Sequence, residues 1–424
     1  MTEIRKETGS LTGKKYKPGM LFKFELAIPM AEAEKFAMLV DHDGLHESNV
    51  SSMRDLADEG KAPYCVNIGV KPGRMVLPDG TVRDMRMNSY DLFDREYSDF
   101  LVYELIPYIA EEYSLNFYEN ADMRMVSGGS SGGISAFAIA WFHPEYFHRV
   151  YMSSPSFLAM GRGNELPYLI RKYETKPLRV YEEISEEEPN DYFGWSRGID
   201  EETAKGLQFA KYDFECKYFP GEGHCSRYNN EESAYERNEW LWRDWDTKPI
   251  IAPANSKRVD GVIPRGSKWE ECSDFPEAAE VTVPEELSSY GKVVLSNDKI
   301  AYYCANKNED IVYSHMNYGE LSSEKRLLHA TLHTIPRFEP KGAIDMAVSR
   351  TDRLFVLTSI GVQCVRSYGL VDVMLDLPDG ATPLEIAVTD KLYVRTEAGI
   401  YCRELCSDCV IDSEEKRKNI SYYD

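Results

Sequence analysis

The chain has 424 residues and a formal net charge of -22, with 43% hydrophobic residues. This length is sufficient for two or three domains that each bury a core. The negative charge repels phosphate backbones and anionic lipid surfaces, so we expect no nucleic-acid and no membrane partner. The first 19 residues are basic with no apolar stretch behind them, which is not the pattern of a signal peptide. We therefore expect a cytoplasmic globular protein.

The nine cysteines are an odd number and mostly stand alone in the sequence. This pattern is typical of reduced thiols rather than of a disulfide framework. Cys402, Cys406 and Cys409 form one group, but no histidine follows them to complete a zinc site. The sequence predicts buried thiols there and no bound metal.

Up to about residue 247, short β-rich runs alternate with longer amphipathic stretches. The alternation predicts a mostly parallel sheet covered by helices on both faces, an α/β fold. Helical periodicity covers 98–113 and 131–142. The predicted strands are 36–40, 64–70, 123–128, 149–154, 178–183 and 214–219.

A linker and a smaller all-β domain follow this first domain (1–247). Residues 248–290 contain prolines, two glycines and an acidic stretch without sustained periodicity, which is typical of an interdomain connection. Strand-like runs recur in 291–424, where Ala347 and Ala387 are 40 residues apart in two similar segments.

The similar segments are 343–366 and 383–404, with a weaker copy at 293–313. A period near 40 made of strands favours propeller blades. Three units fall short of the four to eight blades that usually close a propeller. An open β-domain, or one completed by a second subunit in a homodimer, fits this count.

The strongest chemical signal is a G-x-S-x-G motif, from Gly129 to Gly133, between a predicted strand and a predicted helix. This context is that of the nucleophile turn of α/β-hydrolases, where glycines relieve crowding around an exposed serine. The interpretation makes Ser131 the nucleophile and the Gly132 N–H the first oxyanion donor. The alternative is a Gly/Ser-rich helix cap.

In this fold the acid and the histidine follow the nucleophile along the chain. The other histidines in the first half of the chain either precede Ser131 or lie on or just after the helix that follows it. This leaves His224 as the base. The second oxyanion donor is expected near Leu45, after the first central strand. The sequence alone does not choose the acid among Glu186, Glu187, Glu188 and Asp191.

With these residues assembled, residues 19–245 resemble the esterase family that includes enterochelin esterase, esterase D and the feruloyl and acetyl-xylan esterases. The resemblance implies that Ser131 and His224 are the nucleophile and base. Aligned without a gap, Glu188 takes the place of the family's aspartate, and a three-residue slip would use Asp191 instead. The motifs that carry the resemblance lie at 41–44, 97–109, 127–137, 142–150, 209–224 and 240–245.

The second domain resembles a shortened propeller of the gluconolactonase and regucalcin type. That family binds a divalent metal at the propeller centre. Here residues 343–346 depart from the sequence that is usual for the family at this position, and the first blades are missing. We therefore expect neither lactonase activity nor a metal.

The predicted activity is a two-step, cofactor-independent hydrolysis of small carboxylic esters. The resemblance implies acetyl or hydroxycinnamoyl esters of carbohydrates, and Trp195, with Tyr192 and Phe193, is a candidate to stack on a substrate ring. Two alternatives remain. One is an acyltransferase of the same fold, and the other is a non-catalytic binding protein with a vestigial site.

Overall fold

A computed structural model of the chain shows two compact units. The first unit comprises Met1–Ile170 and Thr175–Pro253, and the second comprises Arg171–Glu174 and Ala254–Asp424. The structure describes residues 1–155, 157–159, 163–252, 257–276, 281–317, 326–378, 382–406 and 409.

The first unit contains twelve strands among its described residues. These are β1 (Ile4–Thr12), β2 (Met20–Pro29), β3 (Ala37–His42), β4 (Cys65–Val70), β5 (Arg74–Val76), β6 (Val82–Asp84), β7 (Arg124–Gly129), β8 (Arg149–Ser153), β9 (Arg179–Glu187), β10 (Asn190–Asp191), β11 (Gly194–Trp195) and β12 (Asp213–Gly223).

The helices of the chain come mostly between these strands. They are α1 (Glu47–Asp58), α2 (Arg86–Tyr90), α3 (Glu96–Phe100), a π-helical turn (Leu101–Leu105), α4 (Ile106–Glu112), α5 (Ser131–Phe142), α6 (Leu166–Lys172), α7 (Ser196–Phe209), α8 (Glu231–Trp242) and α9 (Lys257–Asp260). No helix in the described part of the chain is both long and apolar enough to cross a lipid bilayer.

The large sheet of the first unit has the order β12-β9-β8-β7-β3-β4-β2-β5-β6, with β1 added to β2. Its six strands from β12 to β4 are parallel, and β2 joins them antiparallel. All six predicted strands are present, and the predicted mostly parallel α/β sheet is confirmed. The ends of β3, β7, β8, β9 and β12 meet at one edge, which is where such sheets bind ligands.

Alternating apolar residues along the central strands point to one face of this sheet, and α1 and α8 pack against that face. Tyr151 and Tyr181 lie on that face, with Trp242 of α8 fully buried against it. Burial of large side chains of this kind contributes roughly 1.5–3 kcal/mol each. Because these helices are fixed on the sheet, the loops at the strand ends are held in place.

The second unit consists of small antiparallel sheets. Each of the three predicted repeats falls in a different four-stranded sheet, although their likeness to propeller blades stays a prediction. The sheets are β14 (Lys292–Leu295), β15 (Ala301–Ala305), β16 (Ile311–Met316) and β17 (Leu327–Thr331); β18 (Asp345–Val348), β19 (Leu354–Thr358), β20 (Gly361–Val365) and β21 (Val371–Leu375); and β13 (Glu270–Glu271) with β22 (Pro383–Val388), β23 (Lys391–Thr396) and β24 (Ile400–Glu404).

The structure does not separate 248–290 from the two units as the expected linker. Most of 248–290 is part of the second unit, and β13 pairs with β24 through Glu270 and Cys402. Short strands without periodicity carry little signal in the sequence, because a two-residue strand has no alternation to detect.

Asp345, on β18, connects that strand with β14 and β22, which belong to the other two sheets. One carboxylate oxygen lies 3.0 Å from Lys292 Nζ, and the other accepts a 3.0 Å hydrogen bond from the Ile386 N–H. A charge-assisted contact of this kind fixes neighbouring strands relative to one another.

Candidate active site

The turn between β7 and α5 has its sharpest point at Ser130. This residue has φ 54° and ψ -128°, a conformation that costs about 1–3 kcal/mol for a residue with a side chain. Its N–H donates to Ser153 O at 2.8 Å, and its carbonyl accepts from the Gly133 and Ile134 N–H groups at 2.8 and 3.1 Å. These bonds hold the strained residue in place, with its side chain half-buried.

Two glycines flank Ser130 where the backbone leaves no room for a side chain. A Cβ atom on Gly128 would lie 2.1 Å from the Gly132 carbonyl oxygen, and one on Gly132 would lie 2.9 Å from the His42 Cβ. Gly129 is less constrained, since its Cβ would first meet Cys225 Sγ at 3.1 Å. The frame G-x-S-x-G that the turn geometry requires is therefore the one centred on Ser130.

The structure gives Ser131, the expected nucleophile, a different environment. Ser131 is the first residue of α5 and is buried. The run GGSSGG contains two overlapping motifs, and the sequence interpretation used the second. The strained backbone occurs one residue earlier, at the centre of the first.

His224 and Glu188 are brought together as the sequence predicts. His224 Nδ1 lies 2.5 Å from Glu188 Oε2, and the side chains are 31% and 0% exposed. If Nδ1–H donates to the carboxylate, Nε2 is the nitrogen that can accept a proton. Asp191, the alternative acid, is exposed and accepts the Phe193 N–H at 2.9 Å.

Cys225 connects the His224 loop to the Ser130 turn. The Cys225 N–H donates to Ser154 Oγ at 3.1 Å, and its thiol donates to Ser153 O at 3.4 Å. The Ser153 carbonyl is also the acceptor of the Ser130 N–H. The base and the strained serine are therefore attached to the same end of β8.

The environment of His224 favours its protonated form. A hydrogen bond with the Cys225 side chain, followed by the one with Glu188, raises the pKa of His224 above its ordinary value. Sequence reasoning missed Cys225, because a single cysteine after a histidine has no recognisable spacing.

The two expected oxyanion donors have different surroundings. Gly132 lies in the first turn of α5, where the N–H groups have no acceptor within the helix. Leu45 does not meet the expectation, because its N–H donates to Glu25 Oε2 at 3.1 Å. The same Glu25 is also paired with Lys71 at 2.6 Å.

Trp195 lies on the short hairpin β10–β11. This hairpin follows closely after Glu188 in the chain. Its side chain is 47% exposed, and the Tyr192 side chain at the tip is 90% exposed. The Arg197 guanidinium lies 5.6 Å from the Trp195 ring centre, which stabilises the ring on the first turn of α7.

Residues 23–206 match the family model described as "Putative esterase". The matched segment carries Ser130 and Glu188, and His224 follows it. The match over this segment supports a carboxylic ester hydrolase. A comparison with curated proteins finds no match.

Three solved structures illustrate the similarity. A ferulic acid esterase is 16% identical with a TM-score of 0.45, over 58% of this chain and 100% of that one. The enterobactin esterase FES from Shigella flexneri is 18% identical with a TM-score of 0.41, over 56% and 60%. The siderophore hydrolase EstA from Aspergillus nidulans is 14% identical with a TM-score of 0.40, over 56% and 94%.

Alanine at Gly128 and at Gly129 distinguishes the two overlapping motifs. We expect Gly128→Ala to abolish ester hydrolysis and lower the melting temperature, because its methyl group would overlap the Gly132 backbone. Gly129→Ala should keep activity within about tenfold, since it displaces only the end of a side chain. Aryl ester hydrolysis and thermal unfolding measure both effects. The reverse order would assign the turn to Ser131.

Glu188→Gln tests which carboxylate acts on His224. We expect kcat/KM to fall by about 10³-fold or more. Because Glu188 raises the pKa of His224, its loss should also move the acid limb of the pH profile to lower pH. The control Asp191→Asn should leave both the rate and the limb unchanged. An unmoved limb in Glu188→Gln would contradict the assignment.

Proposed function

We propose that the chain is a serine esterase in which Ser130 is the nucleophile, His224 the general base and Glu188 the acid. The observation that carries this proposal is the strained φ of Ser130 between glycines that admit no side chain. A strained strand-to-helix turn holds a hydroxyl out of the backbone, where a substrate can reach it.

In the proposed reaction, His224 takes the Ser130 proton while Ser130 Oγ attacks the ester carbonyl. The carbonyl oxygen becomes an oxyanion that the N–H groups at the start of α5, those of Ser131 and Gly132, stabilise. The alcohol leaves with the proton from His224, and water then releases the acid by the same steps. Glu188 orients the imidazole and stabilises its charged form.

Labelling with a fluorophosphonate tests the nucleophile. We expect wild type and Ser131→Ala to be labelled, and Ser130→Ala and His224→Ala to be unlabelled. Hydrolysis of a short aryl ester should follow the same order, with Ser130→Ala reduced by at least about 10³-fold. Loss of labelling in Ser131→Ala but not in Ser130→Ala would return the assignment to Ser131. An unlabelled, inactive wild type would refute the esterase proposal and favour a binding protein.

We further propose that the substrates are acetyl or hydroxycinnamoyl esters of carbohydrates. An exposed aromatic hairpin immediately after the acid supports this choice, because ring faces stack on sugars and on aryl groups. The negative charge of the protein favours neutral over anionic esters. The rings lie close along the chain to Glu188, the proposed acid.

Trp195→Ala tests the contribution of this hairpin. We expect kcat/KM for a feruloyl sugar ester to fall about tenfold, in line with the loss of one ring stack. The rate for an aryl acetate with no sugar should change less than twofold. Phe209→Ala is the matched control, since that ring is similarly exposed but lies at the other end of α7. Equal effects of the two variants would contradict a role in binding.

A further inference from the structure

Asp43 follows β3 in a left-handed backbone conformation and lies beside the start of α5. Its φ is 66°, a value that Asp and Asn adopt more readily than other residues with a side chain. A Cβ atom on Gly132 would lie 3.5 Å from Asp43 Oδ2, so the carboxylate is next to the first turn of the helix. The Asp43 side chain is 34% exposed and is therefore accessible to solvent.

The start of α5 attracts a negative charge that can reach it. The N–H groups of Ser131 and Gly132 have no acceptor within the helix, and the helix dipole is positive at this end. In the proposed reaction, the same two groups bind the oxyanion that forms from the ester carbonyl. Because the Asp43 carboxylate lies beside Gly132, it and the oxyanion are competitors for these donors.

Arg86, the first residue of α2, occupies both oxygens of Asp43. Its Nε donates to Oδ1 at 3.2 Å, and a terminal nitrogen donates to Oδ2 at 3.0 Å. A contact through two hydrogen bonds fixes the plane of the carboxylate and also neutralises its charge. Since the Arg86 side chain is 35% exposed, solvent screens the ion pair and its contribution to folding is small.

Tyr90, on the same helix as Arg86, fixes the backbone of Asp43. The Asp43 N–H donates to the Tyr90 hydroxyl at 3.2 Å, and this hydroxyl donates to the Val70 carbonyl at 2.9 Å. The Arg86 guanidinium lies 5.4 Å from the centre of the Tyr90 ring, which is buried. Helix α2 therefore holds the guanidinium and the Asp43 backbone at fixed positions relative to each other.

We propose that Arg86 is a positioning residue that holds the Asp43 carboxylate away from the N–H groups at the start of α5, so that these groups are free to bind the oxyanion. The proposal rests on the proposed esterase function with Ser130 as the nucleophile. Without Arg86, the Asp43 carboxylate would turn to the helix N–H groups. This contact would stabilise α5 but would oppose formation of the oxyanion. An ordinary surface ion pair has no such opposite effects.

Arg86→Leu tests this role with p-nitrophenyl acetate as the substrate. We expect kcat to fall by about 100-fold, as for loss of an oxyanion donor, with KM within about threefold of wild type. The melting temperature should stay the same or rise, because the freed carboxylate interacts with the helix dipole. The inhibition constant of phenylboronic acid, which forms a tetrahedral anion on the serine, should rise as kcat falls. Arg83→Leu is the matched control, since it removes the same charge from an exposed position on β6, and it should change none of these values.

Two further variants separate the effect of the charge from an effect on folding. Asp43→Asn combined with Arg86→Leu removes the competing charge, so kcat should return to within about fivefold of wild type. Arg86→Lys keeps the positive charge but lacks the planar two-point contact, so its kcat should lie between those of wild type and Arg86→Leu.

Two results would overturn the inference. One is a kcat in Arg86→Leu that stays close to that of wild type. The other is a double variant that is as slow as Arg86→Leu, with a lower melting temperature in both, which would show that the ion pair only supports the fold. Wild-type inactivity toward every ester is a different result, because it refutes the proposed esterase function itself.

Discussion

The proposed site depends on the close approach of two backbone segments, at Gly128 and Gly132. Their contact lets the chain turn from β7 into α5 within a few residues, and it forces Ser130 into a positive φ. The strain of about 1–3 kcal/mol is offset by hydrogen bonds from β8 and α5 that fix both sides of the turn. Because the same β8 carbonyl accepts from Cys225, the turn and the His224 loop have a common point of attachment.

A second constraint is a buried network around Arg237. The guanidinium is fully buried, donates to Asn49 Oδ1 at 2.8 Å and to the Tyr228 carbonyl at 2.9 Å, and lies 3.9 Å from Glu183. A buried ion pair is costly to break, by roughly 3–5 kcal/mol, since the remaining charge has no partner. Arg237 thus connects α8, α1 and β9 with the segment four residues after His224, and it limits how far the base can move.

The sequence predicted the parts of this site that have a local signal. The six parallel strands alternate with helices, and chain order alone selected His224. The acid required contact information, because four carboxylates follow one strand and only the packing shows that Glu188 reaches His224. The proposed nucleophile lies one residue before the one that the sequence predicted, since the run GGSSGG satisfies the motif in two ways and backbone strain is not visible in a sequence.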